Sequence, residues 1–386
     1  MSYNEILEGR KLWIDIEQPK AAIMLKSLIQ KFQKFGAITL ITARDYDSTF
    51  KIMDENGFDY KKIGEHGGAS LKNKLKTYID RLDLLFKEVF KFTPDFFITF
   101  TSVEGSRISF GLQIPSIGFN DEPRNEPVCK LVFPLLDEII TPNCIPIEQY
   151  LNIYAKKEQL IRYNGIDEIA WLAEYKPNIK SLDKYNLEKG NYLIIRSEMS
   201  YASYLIGKLN PHETLIAKFI PKVFEKHPEK KYFLLVRSIE QQEWLYNYLL
   251  SKGLNPIKMD QNTNLNSNLI ITRYISPITD LCFYSALVAS GGGTIVRESS
   301  LLNVPSIEFF PGETAPQDVF LIKNGFPIEH IKEPDKIANR IIEILDEGQK
   351  NSRFTNEFRK KIEQFENPNE VCFQRVIERL RKNKKK

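Results

Sequence analysis

Three consecutive glycines, Gly291-Gly292-Gly293, stand between an apolar run, Leu287–Ala289, and the start of a helical pattern, with Ser290 before them and Thr294 after. Glycines let backbone N–H groups come close to a ligand, and a helix N-terminus offers unpaired N–H groups at the positive end of its dipole. Together they suit a phosphate or diphosphate. Glu298 follows Thr294 by four residues and so shares its helical face; a carboxylate there can accept hydrogen bonds from ribose hydroxyls. The plain alternative is a turn that only lets strand and helix pack. A dinucleotide fingerprint fits less well, because G-x-G-x-x-G follows the first strand of its domain and this loop comes late. Arg196 and Arg237 each end a strand in the same half, with Ser197 directly after the first. Their guanidinium groups could grip diphosphate oxygens bidentately or pair with a nearby carboxylate.

A second set lies in the first half. Arg44 follows the second strand and is a candidate for an anionic group, while Asp45-Tyr46-Asp47 beside it only superficially matches a D-x-D metal pattern. His66, followed by Gly67-Gly68, has the side chain best suited to proton transfer near neutral pH. Asp121 and Glu122 follow the apolar strand Ser116–Phe119; Asp121 is a candidate acid–base group and Glu122 an acceptor-side residue. Ser102 opens a helix and has the type expected of its N-cap. The four cysteines and four histidines are scattered without ligand spacing, so neither a zinc site nor any other metal centre is expected. Reduced thiols fit a cytoplasmic location.

These residues must be held by a scaffold, and strands alternate with helices almost throughout. Strands are expected at Lys11–Ile16, Ala37–Thr42, Asp95–Phe100, Ser116–Phe119 and Glu138–Thr141, and again at Tyr192–Arg196, Tyr232–Arg237, Leu269–Thr272, Leu287–Ser290 and Ser306–Phe310. Helices are expected at Ala21–Phe35 and Ser70–Phe92, the latter with Leu71, Leu75, Tyr78, Ile79, Leu82, Leu85, Phe86, Val89 and Phe90 at steps of three and four. This βα alternation predicts the α/β class, with two Rossmann-like, doubly wound parallel sheets. Residues 1–165 form the first domain, 166–190 a polar linker, 191–350 the second domain, and 351–386 a C-terminal helix and tail. Ligands in such sheets bind beyond the carboxyl ends of the strands, so two of them are expected to face each other across a cleft.

The chain has 386 residues, 42% of them hydrophobic, which is enough for two cores. No apolar run approaches the ~18–20 residues of a membrane span, and the start of the chain does not read as a signal peptide. Net charge is +4, but Arg379, Arg381, Lys382, Lys384, Lys385 and Lys386 at the extreme end account for it. A body so nearly neutral argues against nucleic-acid binding. The tail is a free solvated end or a point of peripheral contact with an anionic membrane. Phe365–Leu380 reads as a helix whose apolar positions pack while the six basic groups project into water.

Gly292-Gly293-Thr294, Arg297-Glu298 and Leu301-Leu302-Asn303-Val304-Pro305 resemble the donor-nucleotide motif of GT-B glycosyltransferases, with spacing similar to that of the MurG N-acetylglucosaminyltransferases. The non-hydrolysing UDP-N-acetylglucosamine 2-epimerases have a related loop. Leu12–Ile16, Thr42–Asp47, Gly64–Gly68, Phe119–Asp121, Arg162–Gly165, Arg196–Glu198 and Ala202-Ser203-Tyr204 resemble, in order, a largely archaeal family of unknown function, number 354, in the same superfamily. The resemblance implies GT-B architecture and a diphosphate on Ser290–Thr294, Arg196, Ser197 and Arg237, with the ribose on Glu298. It implies transfer of a sugar from a nucleotide-sugar, most simply a UDP-sugar, to an acceptor that is soluble or lipid-linked, with no cofactor and no metal. A UDP-sugar 2-epimerase-like isomerase and a non-catalytic nucleotide-sugar-binding protein are the alternatives. The chain departs from these relatives in its first loop, Glu17-Gln18-Pro19-Lys20, which lacks their glycines and histidine. Lys20 or Ala21, Phe100 and Arg124 stand where the family has histidines.

Overall fold

The computed structural model describes residues 2–68, 70–198, 212–259, 267–348 and 356–383. Ala202-Ser203-Tyr204, most of the Asn-rich stretch 261–268 and Lys384–Lys386 lie outside the described residues. The chain divides into two compact units, Met1–Ala173 with Gln364–Lys386, and Glu174–Glu363.

The first unit carries β1 (Lys11–Ile16), β2 (Ile38–Asp45), β3 (Lys61–Glu65), β4 (Phe96–Thr99), β5 (Ser116–Phe119), β6 (Glu138–Pro142) and β7 (Leu160–Tyr163), in the all-parallel order β3-β2-β1-β4-β5-β6-β7. The second carries β8 (Tyr192–Arg196), β9 (Lys231–Leu235), β10 (Ile257–Lys258), β11 (Leu269–Thr272), β12 (Leu287–Ser290), β13 (Ser306–Glu308) and β14 (Ile328–His330), in the order β10-β11-β9-β8-β12-β13-β14, also parallel. The central strands are near-continuous apolar runs because helices cover both faces. Trp13, Phe97, Ile139 and Leu85 centre one core, and Leu193, Leu234, Ile271 and Phe219 the other. Each winding reverses at one place, between β1 and β4 in the first sheet and between β8 and β12 in the second, which leaves a crevice at the carboxyl ends of those pairs.

Three expectations change. The stretch after 165 is not a free linker. The Asn164 amide donates to Glu366 Oε2 at 2.6 Å, a Cβ on Gly165 would lie 2.8 Å from the Glu366 carbonyl, and the helix Ile169–Leu172 follows inside the first unit.

The C-terminal helix, Pro368–Asn383, belongs to that unit too. Phe373 packs 5.2 Å from Phe32 and 5.1 Å from Tyr3, and Cys372, Val376, Ile377 and Leu380 are buried. Arg379 does not project into water. With Arg375 it grips the buried Glu138 carboxylate, at 2.7 and 2.6 Å, and the two guanidinium groups hold that carboxyl below its usual range against the opposing effect of burial.

The helix Leu71–Phe92 forms as its periodicity demands, capped by Ser70, but it turns a different face inward. Of its nine apolar positions only Leu85 and Val89 are buried, and they are joined by Arg81. The Arg81 guanidinium forks Asp15 at 2.8 and 3.1 Å, reaches Glu104 at 3.2 Å and donates to the Ile63 carbonyl at 2.9 Å. A buried arginine with all three guanidinium nitrogens engaged fixes the helix's rotation, and the remaining apolar stripe is left outside.

Candidate functional site

In the second unit the crevice between β8 and β12 is lined by Arg196, Ser197 and Glu198 on one side and Ser290–Thr294 on the other. The helix Gly293–Leu301 starts at once, and its cap residue Gly292 has no side chain to accept from the first turn. Gly293 and Thr294, both partly exposed, stand at the dipole's positive end, where the first amides of a helix have no intrahelical partner. The Gly291 amide donates to the Arg196 carbonyl at 3.0 Å, and the Gly292 amide donates to Ser290 Oγ at 3.0 Å. Arg237 lies over the loop: a Cβ on Gly292 would meet its Nη2 at 3.3 Å. Gln241 Oε1 ties the two halves, accepting from Ser197 Oγ at 3.0 Å and from the Arg237 amide at 2.9 Å. Behind the loop, Arg297 is held by Asp318 at 2.6 Å. Glu298 is 3% exposed, on the inward face of the helix, where its charge and that of Arg196 both act on the buried Cys282 thiol.

The glycines have different duties. Gly292 is in extended backbone and faces a flexible side chain, so the packing of the fold does not itself require a glycine there. A Cβ on Gly291 would sit 2.6–2.7 Å from the backbone and Cβ of Glu198. That neighbour cannot yield, because the Glu198 carboxylate caps the next helix through Thr214 Oγ1 at 2.9 Å and the Leu215 amide at 2.8 Å. Gly291→Val therefore splays β8 from the loop and costs about 1–3 kcal/mol of stability. Gly292→Ala leaves the unfolding midpoint within error. Urea unfolding of both variants checks the contrast.

In the first unit the crevice at β1/β4 holds an ionic cluster. Glu17 and Gln18 follow β1, and Pro19 opens a short helix with Lys20 in its first turn, where a cation opposes the helix dipole. Lys20 Nζ is compensated by Asp121 Oδ2 at 2.5 Å and Asp167 Oδ2 at 2.8 Å, and it stands 5.1 Å over the Phe100 ring. These carboxylates, with Glu168, drive the lysine pKa upward although burial works against it. Asp167 also accepts from the Tyr163 hydroxyl, and burial raises its pKa. Glu17 lies on the other side of β1. Burial, reinforced by Asp15, pushes its carboxyl up to about 8, so it is protonated at neutral pH. Its Oε1 is buried without a hydrogen-bond partner among the described residues. Thr101, just past β4, holds φ at 142°, a strained backbone of the kind found at ligand sites.

The other expected residues divide. Arg44 is brought to this crevice: its Nη2 donates to the Glu17 carbonyl at 3.2 Å, and it lies 5.8 Å from the Tyr46 ring. His66 lies against Tyr46, with ring centroids 4.5 Å apart and planes tilted by 44°, and feels Arg44, on the β2–β3 side of the sheet rather than beside Asp121. Its Nδ1 accepts the Gly68 amide at 3.1 Å, and burial lowers its pKa to about 4. The ring at neutral pH is uncharged and keeps its proton on Nε2, so it can donate a hydrogen bond there, while its Nδ1 lone pair is engaged by the Gly68 amide. Glu122 turns away to an exposed bidentate pair with Arg124 at 2.6 Å. Glu17, Lys20 and Asp167 escaped the reading of the sequence. The available signal was Asp15 and Glu17 sharing one face of a strand that must be buried. Among the described residues no group of three or more His, Cys, Asp or Glu is placed to hold a metal ion.

Two parallel seven-stranded units, each with its polar groups at the switch point, define the GT-B architecture. The chain belongs to the family described as "Protein of unknown function (DUF354)", which matches residues 10–381. It is 28% identical to the uncharacterized protein MJ0665 of Methanocaldococcus jannaschii over 375 residues, covering 96% of this chain and 98% of that protein. Among solved structures it is similar to the M. jannaschii UDP-GlcNAc 2-epimerase in complex with UDP-GlcNAc and UDP (TM-score 0.64, 15% identity, 92% of this chain and 98% of that one). It is also similar to Anabaena Alr3699/HepE in complex with UDP and glucose (TM-score 0.60, 14% identity, 97% and 100%).

Proposed function

We propose that the protein is a glycosyltransferase that takes a sugar from a nucleotide-sugar, specifically a UDP-sugar, and passes it to an acceptor. The observation that carries this reading is the uncapped helix start at Gly292–Thr294 under the Arg237 guanidinium, at the switch point of the second sheet. The UDP and UDP-sugar bound to its structural neighbours support it. The helix amides and the Arg196 and Arg237 guanidinium groups would meet the diphosphate as charge develops on it. The bond from the anomeric carbon to the phosphate oxygen breaks with its electron pair going to UDP, and the acceptor oxygen forms the new bond. The acceptor's proton goes to a carboxylate of the first unit, and Asp121 is the group assigned here. This scheme uses no cofactor and no metal. A cytoplasmic location and a lipid-linked acceptor, met through the basic tail, complete the proposal.

A UDP-sugar 2-epimerase-like activity is the second reading. The buried carboxyls Asp167 and Glu168, grouped with Asp121 around Lys20, favour it, because that chemistry needs several carboxyl groups around one sugar. Incubation with UDP-GlcNAc alone separates the two: a 2-epimer or free UDP without acceptor supports the isomerase, and acceptor-dependent UDP release supports the transferase. Tight binding with neither product leaves a nucleotide-sugar-binding protein.

The donor site is tested directly by Glu298→Ala. Loss of charge-assisted bonds to ribose, about 1.5–3 kcal/mol, predicts UDP binding weaker by roughly 10–150-fold. Calorimetry on a variant with unchanged circular dichroism measures it, and unaltered affinity removes Glu298 from the site.

A further inference from the structure

The crevice at β1/β4 holds two buried polar atoms that the fold does not use. Glu17 is 5% exposed, and its Oε1 has no hydrogen-bond partner among the described residues; nor has the buried Nε of Arg44. The two residues touch, since Arg44 Nη2 donates to the Glu17 carbonyl at 3.2 Å. Burying an unmet polar atom is costly, and native folds rarely do so without a use for it. We infer that Arg44 and the Glu17 carboxyl form a subsite for a carboxylate carried by the acceptor, of which a uronic acid is the simplest sugar form. The word acceptor rests on the transferase reading above; the binding chemistry does not.

The neighbours cannot satisfy either atom. Thr99 Oγ1 lies 3.5 Å from Glu17 Oε2, but its proton has the nearer Asp15 carbonyl at 3.2 Å, and its oxygen accepts the amides of Thr101 at 3.3 Å and Ser102 at 3.0 Å. Asp15 and Glu104 are both held by Arg81. Arg44 has no ion pair among the described residues, and Glu17 does not supply one, because burial, reinforced by Asp15, keeps it protonated at neutral pH. A guanidinium beside a protonated acid is a set of donors, and the complement of such a set is an anion.

The backbone selects a carboxylate over a phosphate. Phosphate sites draw on the amides of an open helix start, as Gly292–Thr294 offers in the second unit. Here the helix Val103–Gly111 is closed by its own Ser102, whose Oγ accepts the Gly105 amide at 2.9 Å, and the loop amides before it are spent on Thr99. What remains is the guanidinium edge, which matches a carboxylate bidentately, and one acid proton. Gln18, Arg44, Tyr46 and Thr101 are each partly exposed, so the crevice is open to solvent on this side.

Glucose, glucuronate and glucose 6-phosphate differ only at C6. Titrated against the full chain without donor and followed by ligand-observed NMR, glucuronate should bind about tenfold or more tightly than either of the others. Arg44→Met should bring glucuronate down to the affinity of glucose. Arg44→Lys, which keeps the charge but not the planar fork, should recover only part of the difference. Glu17→Met should weaken glucuronate by about tenfold with glucose unchanged. Equal binding of glucuronate and glucose, a preference that survives Arg44→Met, or tighter binding of glucose 6-phosphate would each overturn the carboxylate subsite. UDP-GlcNAc titrated on the same samples reads the donor site separately. If it binds while glucuronate shows no preference, the subsite alone falls; if glucuronate binds and UDP-GlcNAc does not, the transferase reading falls and the subsite stands.

Discussion

Replacing Lys20 by Met is expected to destabilise the first unit by about 3–5 kcal/mol at pH 7, the usual consequence of removing one partner from a buried ionic cluster. The length and volume of the side chain survive in methionine, so the loss isolates the charge. Asp121 and Asp167, both against Lys20 Nζ, lose that cation and are left buried beside each other. The sign of the pH effect follows. The lysine pKa is raised in the folded state, so its contribution is complete below the unfolded value of 10.5 and constant between pH 5 and 8. In the variant, the stranded carboxyls have folded pKa values above their unfolded ones, and protonation relieves them as the pH falls. The deficit should therefore shrink from pH 7 to pH 5. Urea unfolding at both values measures it. A deficit below about 1 kcal/mol, or one equal at both pH values, would mean that the cluster is not the closed ionic unit described.

Glu17→Gln should act in the opposite direction and stabilise the protein. The wild-type carboxyl binds its proton far more tightly folded than unfolded, with a folded pKa of about 8 against 4.5. Each rise in pH between those values therefore erodes wild-type stability, and the erosion is complete above pH 8. Glutamine is neutral throughout and close in shape. Its advantage should be near zero at pH 4.5, grow steadily to pH 8 and then stay flat, reaching a few kcal/mol. Unfolding free energies over that range decide the matter; a flat difference would show that Glu17 is not held protonated. A group kept at such expense, at a switch point beside a strained threonine, belongs with residues that serve a reaction at the cost of stability. Activity that falls while stability rises would place Glu17 in the chemistry.

The glycine loop could be read from the chain because its geometry is local. Ser290 to Thr294 carry it in consecutive residues, a strand running into glycines and then a helix. The βα alternation was legible for a similar reason, since covered parallel strands must be apolar on both faces. The first-unit cluster was not. Lys20 and Asp167 are far apart in the chain, and a lysine near a proline reads as surface charge until the fold sets a carboxylate against it. The helix Leu71–Phe92 shows the same limit. Periodicity establishes that it is a helix, but which face turns inward depends on Asp15 capturing Arg81, a long-range event. His66 looked like a base by residue type, and one backbone amide, that of Gly68, occupies the lone pair the role requires.

The returning C-terminal helix has a consequence for the order in which the molecule can be built. The second unit is, in chain terms, an insertion into the first, and the first lacks its last helix until the final residues emerge from the ribosome. At about 5–20 residues per second, making Glu174–Glu363 takes on the order of ten to forty seconds. During that interval the Phe32 face stays bare and the Glu138 carboxylate has neither of its arginines. A nascent chain halted before Pro368 should therefore carry a finished second unit and an unfinished first one, the reverse of the vectorial order in which domains are usually completed.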